Sequence, residues 1–141
     1  MSDLYPYTLS STGRDAYTPW NFSLFPADAV VINLGTNGGW RRNATAWQAE
    51  YVQFVQKIVH SHYQDETLPV FLTTTGPMTN AYAPLVANVV ETLATQGLQA
   101  HPLNLSLGRA MTGCYGHPSH ADNIEIAAVA KLQIGKVLGW L

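Results

Sequence analysis

The sequence is poor in cysteine, in charge and in long apolar runs, and each shortage removes a class of protein. One cysteine, Cys114, among 141 residues permits neither an internal disulfide framework nor a multi-cysteine zinc site, so packing must stabilise the fold. Only 11% of the residues are charged, with seven Lys and Arg against nine Asp and Glu, a net charge of -2. There is no basic stripe to hold a nucleic acid backbone. No run reaches the roughly 18 consecutive apolar residues of a membrane span, which sets a transmembrane reading aside. The first 11 residues have neither the basic start nor the apolar core of a secretory signal. Three Asn-x-Ser/Thr sequons, at Asn21, Asn43 and Asn104, would nevertheless suit a secreted parent, so the compartment stays open. Internal repeats, low-complexity tracts and Pro/Gly/Ser linkers are also missing.

What is present is apolar: 47% of the residues are hydrophobic, in a chain long enough for one compact domain spanning 1–141. Short β-branched runs alternate with longer helical patterns, the signature of α/β units. Residues 29–34 form a nearly continuous apolar run, as expected of a parallel strand covered on both faces. A glycine-rich loop with Gly35, Gly38 and Gly39 follows. Residues 45–62 place Trp47, Tyr51, Phe54, Val55, Ile58 and His62 on one helical stripe, and Thr45 with Gln48 reads as its capping box. A second strand is expected at 68–74 and a second helix at 81–96, with Pro84 tolerable in its first turn and Gly97 as its stop. A third strand at 99–105 contains Pro102, which points to a sheet edge. The last helix should cover 121–138, with Ser119 as N-cap and Asp122 complementing the helix dipole. Helical connections between consecutive strands imply right-handed crossovers. The expectation is therefore a three-stranded parallel sheet with helices on both faces, against the four to six strands that are usual.

In open parallel sheets, ligands bind beyond the carboxyl ends of the strands. Two polar clusters fall there: Gly35-Thr36-Asn37-Gly38-Gly39-Trp40 after the first strand, and Gly113-Cys114-Tyr115-Gly116-His117-Pro118-Ser119-His120 before the last helix. Taken alone, Asn37 and Gly35 read first as a turn, and His117 first as a loop histidine, with His120 as its competitor for any catalytic role. His60, His62 and His101 sit in or beside regular elements as packing or surface residues. Gly35 to Gly39 has no Lys and does not match a phosphate-cradling loop.

The stretch Val30-Val31-Ile32-Asn33-Leu34-Gly35-Thr36-Asn37 resembles the strand and Gly-x-Asn-Asp block of SGNH hydrolases, and Gly116-His117-Pro118-Ser119 resembles their catalytic His block. Trp20-Asn21-Phe22-Ser23, Gly76-Pro77-Met78 and Gly113-Cys114 look like the carbohydrate esterase family 2 branch, whose members remove acetyl groups from sugars. The resemblance runs from Leu4 onward. It implies a flavodoxin-like three-layer α/β/α fold, here truncated to about three parallel strands, with no cofactor and no metal. It also implies that Asn37 donates its amide to the oxyanion, that Gly35 permits the turn aiming it, and that His117 is the general base. The chemistry is sound on its own terms. A fixed amide donor on a developing oxyanion contributes about 3 to 4 kcal/mol, and an imidazole, with an ordinary pKa of about 6.5, suits proton transfer to and from an alcohol. Trp40 and Tyr115, with Trp20, are candidate aromatics for stacking on a sugar; they would equally serve a non-catalytic carbohydrate-binding module.

Two positions depart from the family pattern. Cys114 stands where an Asp commonly precedes the His by three residues, and a thiol is a poor substitute for orienting an imidazolium; the resemblance to family 2 esterases implies instead a dyad with the second ring nitrogen on a backbone carbonyl. Gly38 stands where the oxyanion block usually has Asp. The larger absence is the nucleophile, because no Gly-Asp-Ser occurs in the 141 residues. Ser10, Ser11, Ser23, Ser106 and Ser119 have no comparable setting, and a serine without a positioned base is a weak nucleophile. The expectation is a fragment or degenerate copy, inactive alone, with an unpaired sheet edge that favours association with another chain.

Overall fold

The computed structural model describes residues 5–7, 18–75 and 81–141. Strands β1 (Val30–Ile32), β2 (Val70–Thr75) and β3 (Ala100–Asn104) form one sheet in the order β1-β2-β3. Both pairings are parallel, with Val31 opposite Phe71 and Phe71 opposite His101. Helix α1 (Ala44–Lys57), continued by a π turn over Ile58–Tyr63, connects β1 to β2; α2 (Ala83–Thr95) connects β2 to β3, and α3 (His120–Leu138) follows β3.

Strand side chains alternate between faces, and the two cores divide accordingly. Val70 and Leu72 join Ile32 and Ala100 under α1 and α2, meeting Tyr51, Val55, Val86, Val89 and Leu93. Phe71 and Leu103 point the other way, where Ile126, Ala130, Ile134 and Leu138 of α3 pack on them. The central strand is therefore buried on both faces from Val70 through Thr73, which suits its apolar start Val70-Phe71-Leu72. The expected truncated α/β fold of three parallel strands with flanking helices is the one observed.

The two edges of the sheet differ. On β3, Pro102 has no N–H to offer and is tolerated at the margin. The adjoining Asn104 backbone is satisfied by Gln133 of α3, whose Oε1 accepts from Asn104 N at 3.0 Å and whose Nε2 donates to Asn104 O at 2.7 Å. On β1 no strand among the described residues pairs with the outer edge, and Val31, on the α3 side, is 49% exposed. Ile124 and Leu132 of α3 are also exposed.

Local details correct the sequence expectations. The α1 cap is Asn43, whose side chain accepts from Ala46 N at 2.9 Å; the Thr45 and Gln48 capping box does not form. Asn is the stronger cap, and Gln48 is used elsewhere, donating from Nε2 to Leu85 O at 3.0 Å and tying α1 to α2. The α-helical spacing read through His62 stops at Lys57. The wider π turn that follows sets His62 and Tyr63 against Phe22, at 4.5 Å and 5.3 Å between ring centroids. The first strand is shorter than 29–34, and just past its end the Asn33 carboxamide accepts from the buried Thr73 hydroxyl at 2.7 Å. Ser119 does cap α3, reciprocally with Asp122. Gly76-Pro77-Met78 lies outside the described residues.

Leu72 has no exposed surface in the central strand, so Leu72→Ala should cost about 2 to 5 kcal/mol. Ile124→Ala on the open face of α3 should change stability by at most about 0.5 kcal/mol. Urea denaturation of the two variants checks both values.

Candidate active site

Because all three strands run parallel, the loops leaving their carboxyl ends emerge along one edge of the sheet. Asn37 lies five residues past the end of β1, and His117 lies in the long connection from β3 to α3. Their loops leave the same edge of the sheet, from strands that have β2 between them. Asn37 also lines a cleft of about 600 Å³ over the first turns of α1, with Gly38, Arg42, Asn43, Trp47 and Glu50 among its walls. His117 is not one of those lining residues.

The Asn37 turn is held from below and from the side. The Gly35 carbonyl accepts from Gly38 N at 3.0 Å, closing a turn with Asn37 near its tip. The same oxygen accepts from Nε1 of Trp40, also at 3.0 Å. Gly35 has φ +117°, a region that disfavours side chains, and a Cβ there would stand 2.8 Å from the Tyr82 ring. Tyr82 is fully buried, as is Tyr51; neither hydroxyl finds a hydrogen-bond partner among the described residues. Burial, then proximity to Tyr82, pushes the Tyr51 phenol well above its ordinary range. Asn37 itself is exposed, and Trp40, half-buried against the core, carries the Arg41 guanidinium 5.3 Å over its ring.

The histidine loop is a small closed structure. Gly113 N donates to His117 O at 2.9 Å, and His117 N donates to Cys114 O at 3.1 Å. The Cys114 carbonyl also lies 3.1 Å from Nδ1 of His117. A carbonyl only accepts, so in this bond Nδ1 carries the hydrogen, and in the neutral ring Nε2 then keeps its lone pair. Pro118 disfavours helical backbone in the residue before it, and His117 is extended, at φ -79° and ψ 159°. Tyr115 sits at the loop's tip in a left-handed conformation, φ 53°, with 99% of its surface exposed. His120 begins α3 instead of the loop.

One residue of this site was not legible as such in the sequence. Asp122 is 0% exposed, and its carboxylate accepts four hydrogen bonds. Arg109 Nη1 donates to Oδ1 at 2.6 Å, while Thr112 N, Thr112 Oγ1 and Ser119 N donate to Oδ2 at 2.8, 2.7 and 2.8 Å. These bonds, those from the Ser119 and Thr112 backbones first, hold the carboxyl well below the usual Asp range against the desolvation that opposes them. Arg109 also reaches Glu125, at 2.7 Å. The serines singled out in the sequence are engaged where described: Ser119 Oγ accepts from Asp122 N and lies 2.7 Å from Thr112 Oγ1, Ser106 Oγ accepts from Gly108 N, and Ser23, away from this loop beside His62 and Leu68, donates its Oγ to Asn21. Among the described residues no group of His, Cys, Asp and Glu is arranged to hold a metal ion, and no helix is long and apolar enough to cross a membrane.

No protein-family model and no curated protein matches the sequence. Solved structures do match. The chain is similar to a family two carbohydrate esterase from Cellvibrio japonicus, with a TM-score of 0.76 at 18% identity over 96% of this chain and 40% of that one. It is also similar to a carbohydrate esterase family 2 enzyme with a carbohydrate binding domain from Corynascus thermopiles (Myceliophthora fergusii). There the TM-score is 0.68 at 28% identity, over 89% of this chain and 42% of that one. The chain thus has the fold of these esterases over about two fifths of their length.

The depressed Asp122 carboxyl sets a pH dependence. A group whose folded pKa is lowered stabilises fully above its unfolded value, about 3.9 for Asp, and loses that contribution as pH falls toward the folded value. Asp122→Asn should therefore melt at a lower temperature than the parent at pH 7, and the gap should shrink between pH 4 and pH 2. Calorimetry across that range measures it.

Proposed function

We propose that this chain is the oxyanion and base portion of a carbohydrate ester hydrolase acting on acetyl or other short acyl esters of sugars. The observation that carries the reading is the 3.1 Å contact between Nδ1 of His117 and the Cys114 carbonyl. It selects the tautomer in which Nε2 can take a proton from an attacking alcohol and return it to the departing sugar hydroxyl. It also supplies what Cys114, standing at the position of the usual Asp, cannot: a fixed orientation for the ring. Asn37 is the oxyanion donor in this reading. Its amide makes no hydrogen bond to another described residue, and the Gly35 turn presents it at the carboxyl edge of the sheet.

Tyr115, projecting beside His117, is the aromatic available to stack on a sugar. Trp40 acts on the substrate side through the turn its indole N–H ties down. The similarity to carbohydrate esterases in fold supports this substrate class. The serine nucleophile is supplied from outside these 141 residues, which contain no Gly-Asp-Ser, and the chain alone is inactive.

Two measurements on the 141-residue protein test this. With p-nitrophenyl acetate, turnover should not exceed that of His117→Ala; clear turnover abolished by that substitution would overturn the missing nucleophile. In a ¹⁵N NMR titration with an O-acetylated xylo-oligosaccharide, the Asn37 side-chain amide and the His117 ring should shift together. Movement of neither, or of one alone, sinks the shared-site reading. Equal shifts with the deacetylated sugar would instead favour a non-catalytic binding module, the reading that the exposed Tyr115 alone supports.

The outer edge of β1, which no strand among the described residues pairs, and exposed Val31 also support association with a second copy. Light scattering should give a mass near twice the 15.4 kDa of the chain, reduced to the monomer by Val31→Lys. A parent that is monomeric at all concentrations removes this proposal.

A further inference from the structure

We propose that Asp122 is the positioning residue for His117, acting through Thr112 and Ser119 instead of touching the imidazole. The inference rests on the reading of His117 as base. Thr112 and Ser119 are the residues on which the chain enters and leaves the histidine loop, and both are bound to the same oxygen of Asp122: Thr112 through N and Oγ1, Ser119 through N. Their own hydroxyls meet at 2.7 Å. The six residues 113–118 are therefore an excursion closed at its base on one buried carboxylate.

Within that excursion the spacing leaves little freedom. A Cβ at Gly113 would stand 2.5 Å from the His117 carbonyl oxygen and 3.0 Å from Ser119 N, so the two sides of the loop are already in contact. The Cys114 carbonyl that orients the ring lies two residues from the Thr112 anchor and accepts both the backbone and the ring N–H of His117. A shift of Thr112 relative to Ser119 moves that acceptor away from the ring. Arg109 bonds the second carboxylate oxygen and Glu125 of α3, so the anchor is braced against the helix as well. An Asn at 122 replaces one acceptor oxygen with an NH₂ group. That group either faces the N–H donors of Thr112 and Ser119 or faces the Arg109 guanidinium, and in both orientations it loses bonds the carboxylate makes.

A merely structural role would lower stability without changing the state of one ring. The readout is therefore the tautomer of His117, taken from the ¹⁵N shifts of its two ring nitrogens in the 141-residue protein at a pH where the ring is neutral. The parent should show a single tautomer with hydrogen on Nδ1. Asp122→Asn should convert it to a mixture, with His101 on β3, packed against Phe71, unchanged as the internal control. Thr112→Val, which removes one strut and keeps the carboxylate, should give a smaller change in the same direction. Retention of the single Nδ1–H tautomer in folded Asp122→Asn overturns the inference. Should that variant not fold, retention in Thr112→Val overturns it. A parent already in the mixed state contradicts the base reading of His117 itself, whereas the expected parent with no response to either substitution removes only the role of Asp122.

Discussion

The parallel pairing of β1, β2 and β3 is the constraint from which the rest follows. Parallel strands cannot be joined by tight turns, so each must be followed by a crossover, and every strand then delivers its outgoing loop to the same edge. In this chain those loops carry the polar residues, while the strands between them are apolar on both faces. The 40-residue separation of β1 and β2, bonded at Asn33 and Thr73, shows how residues distant in the chain become neighbours once the register is set. The register also leaves the outer side of β1 without a strand partner among the described residues.

The two loops at that edge are stiffened by different means. The Asn37 turn is held by sterics and one shared acceptor, with the Tyr82 ring under Gly35 and the Trp40 indole on the Gly35 carbonyl. The histidine loop is held by charge. A buried carboxylate is costly unless its oxygens are fully bonded, and Asp122 meets that condition with donors drawn from Arg109, Thr112 and Ser119. The same bonds that make its burial tolerable close the loop. Breaking one is therefore expected to disturb local geometry as well as stability.

Much of this was legible in the sequence where local periodicity dominates. The three strands, three helices, the edge position of Pro102 and the Ser119 cap all follow from side-chain alternation, helical spacing and the special geometry of proline and serine. The failures came where a side chain had a tertiary alternative. Gln48 could cap its own helix or reach Leu85, and packing of α1 on α2 selected the second. The apolar stripe through Ile58 to His62 fits an α or a π turn equally, and the contact with Phe22 accompanies the wider one. Asp122 read as a first-turn acid because its spacing to Ser119 is local, whereas its bonds to Arg109 and Thr112 span 13 and 10 residues.

The sequence by itself determined the element types and the two polar loops, because these depend on residues within a few positions of one another, while Asn37, Gly35 and His117 became candidates only through the resemblance of their short motifs to a known family. Tertiary structure alone decided that it is the Cys114 carbonyl that faces Nδ1 of His117 and that a buried Asp122 ties the loop shut. The physical reason is that hydrogen bonds and packing act through space at about 3 to 4 Å. Separation along the chain does not reveal which groups will come within that distance.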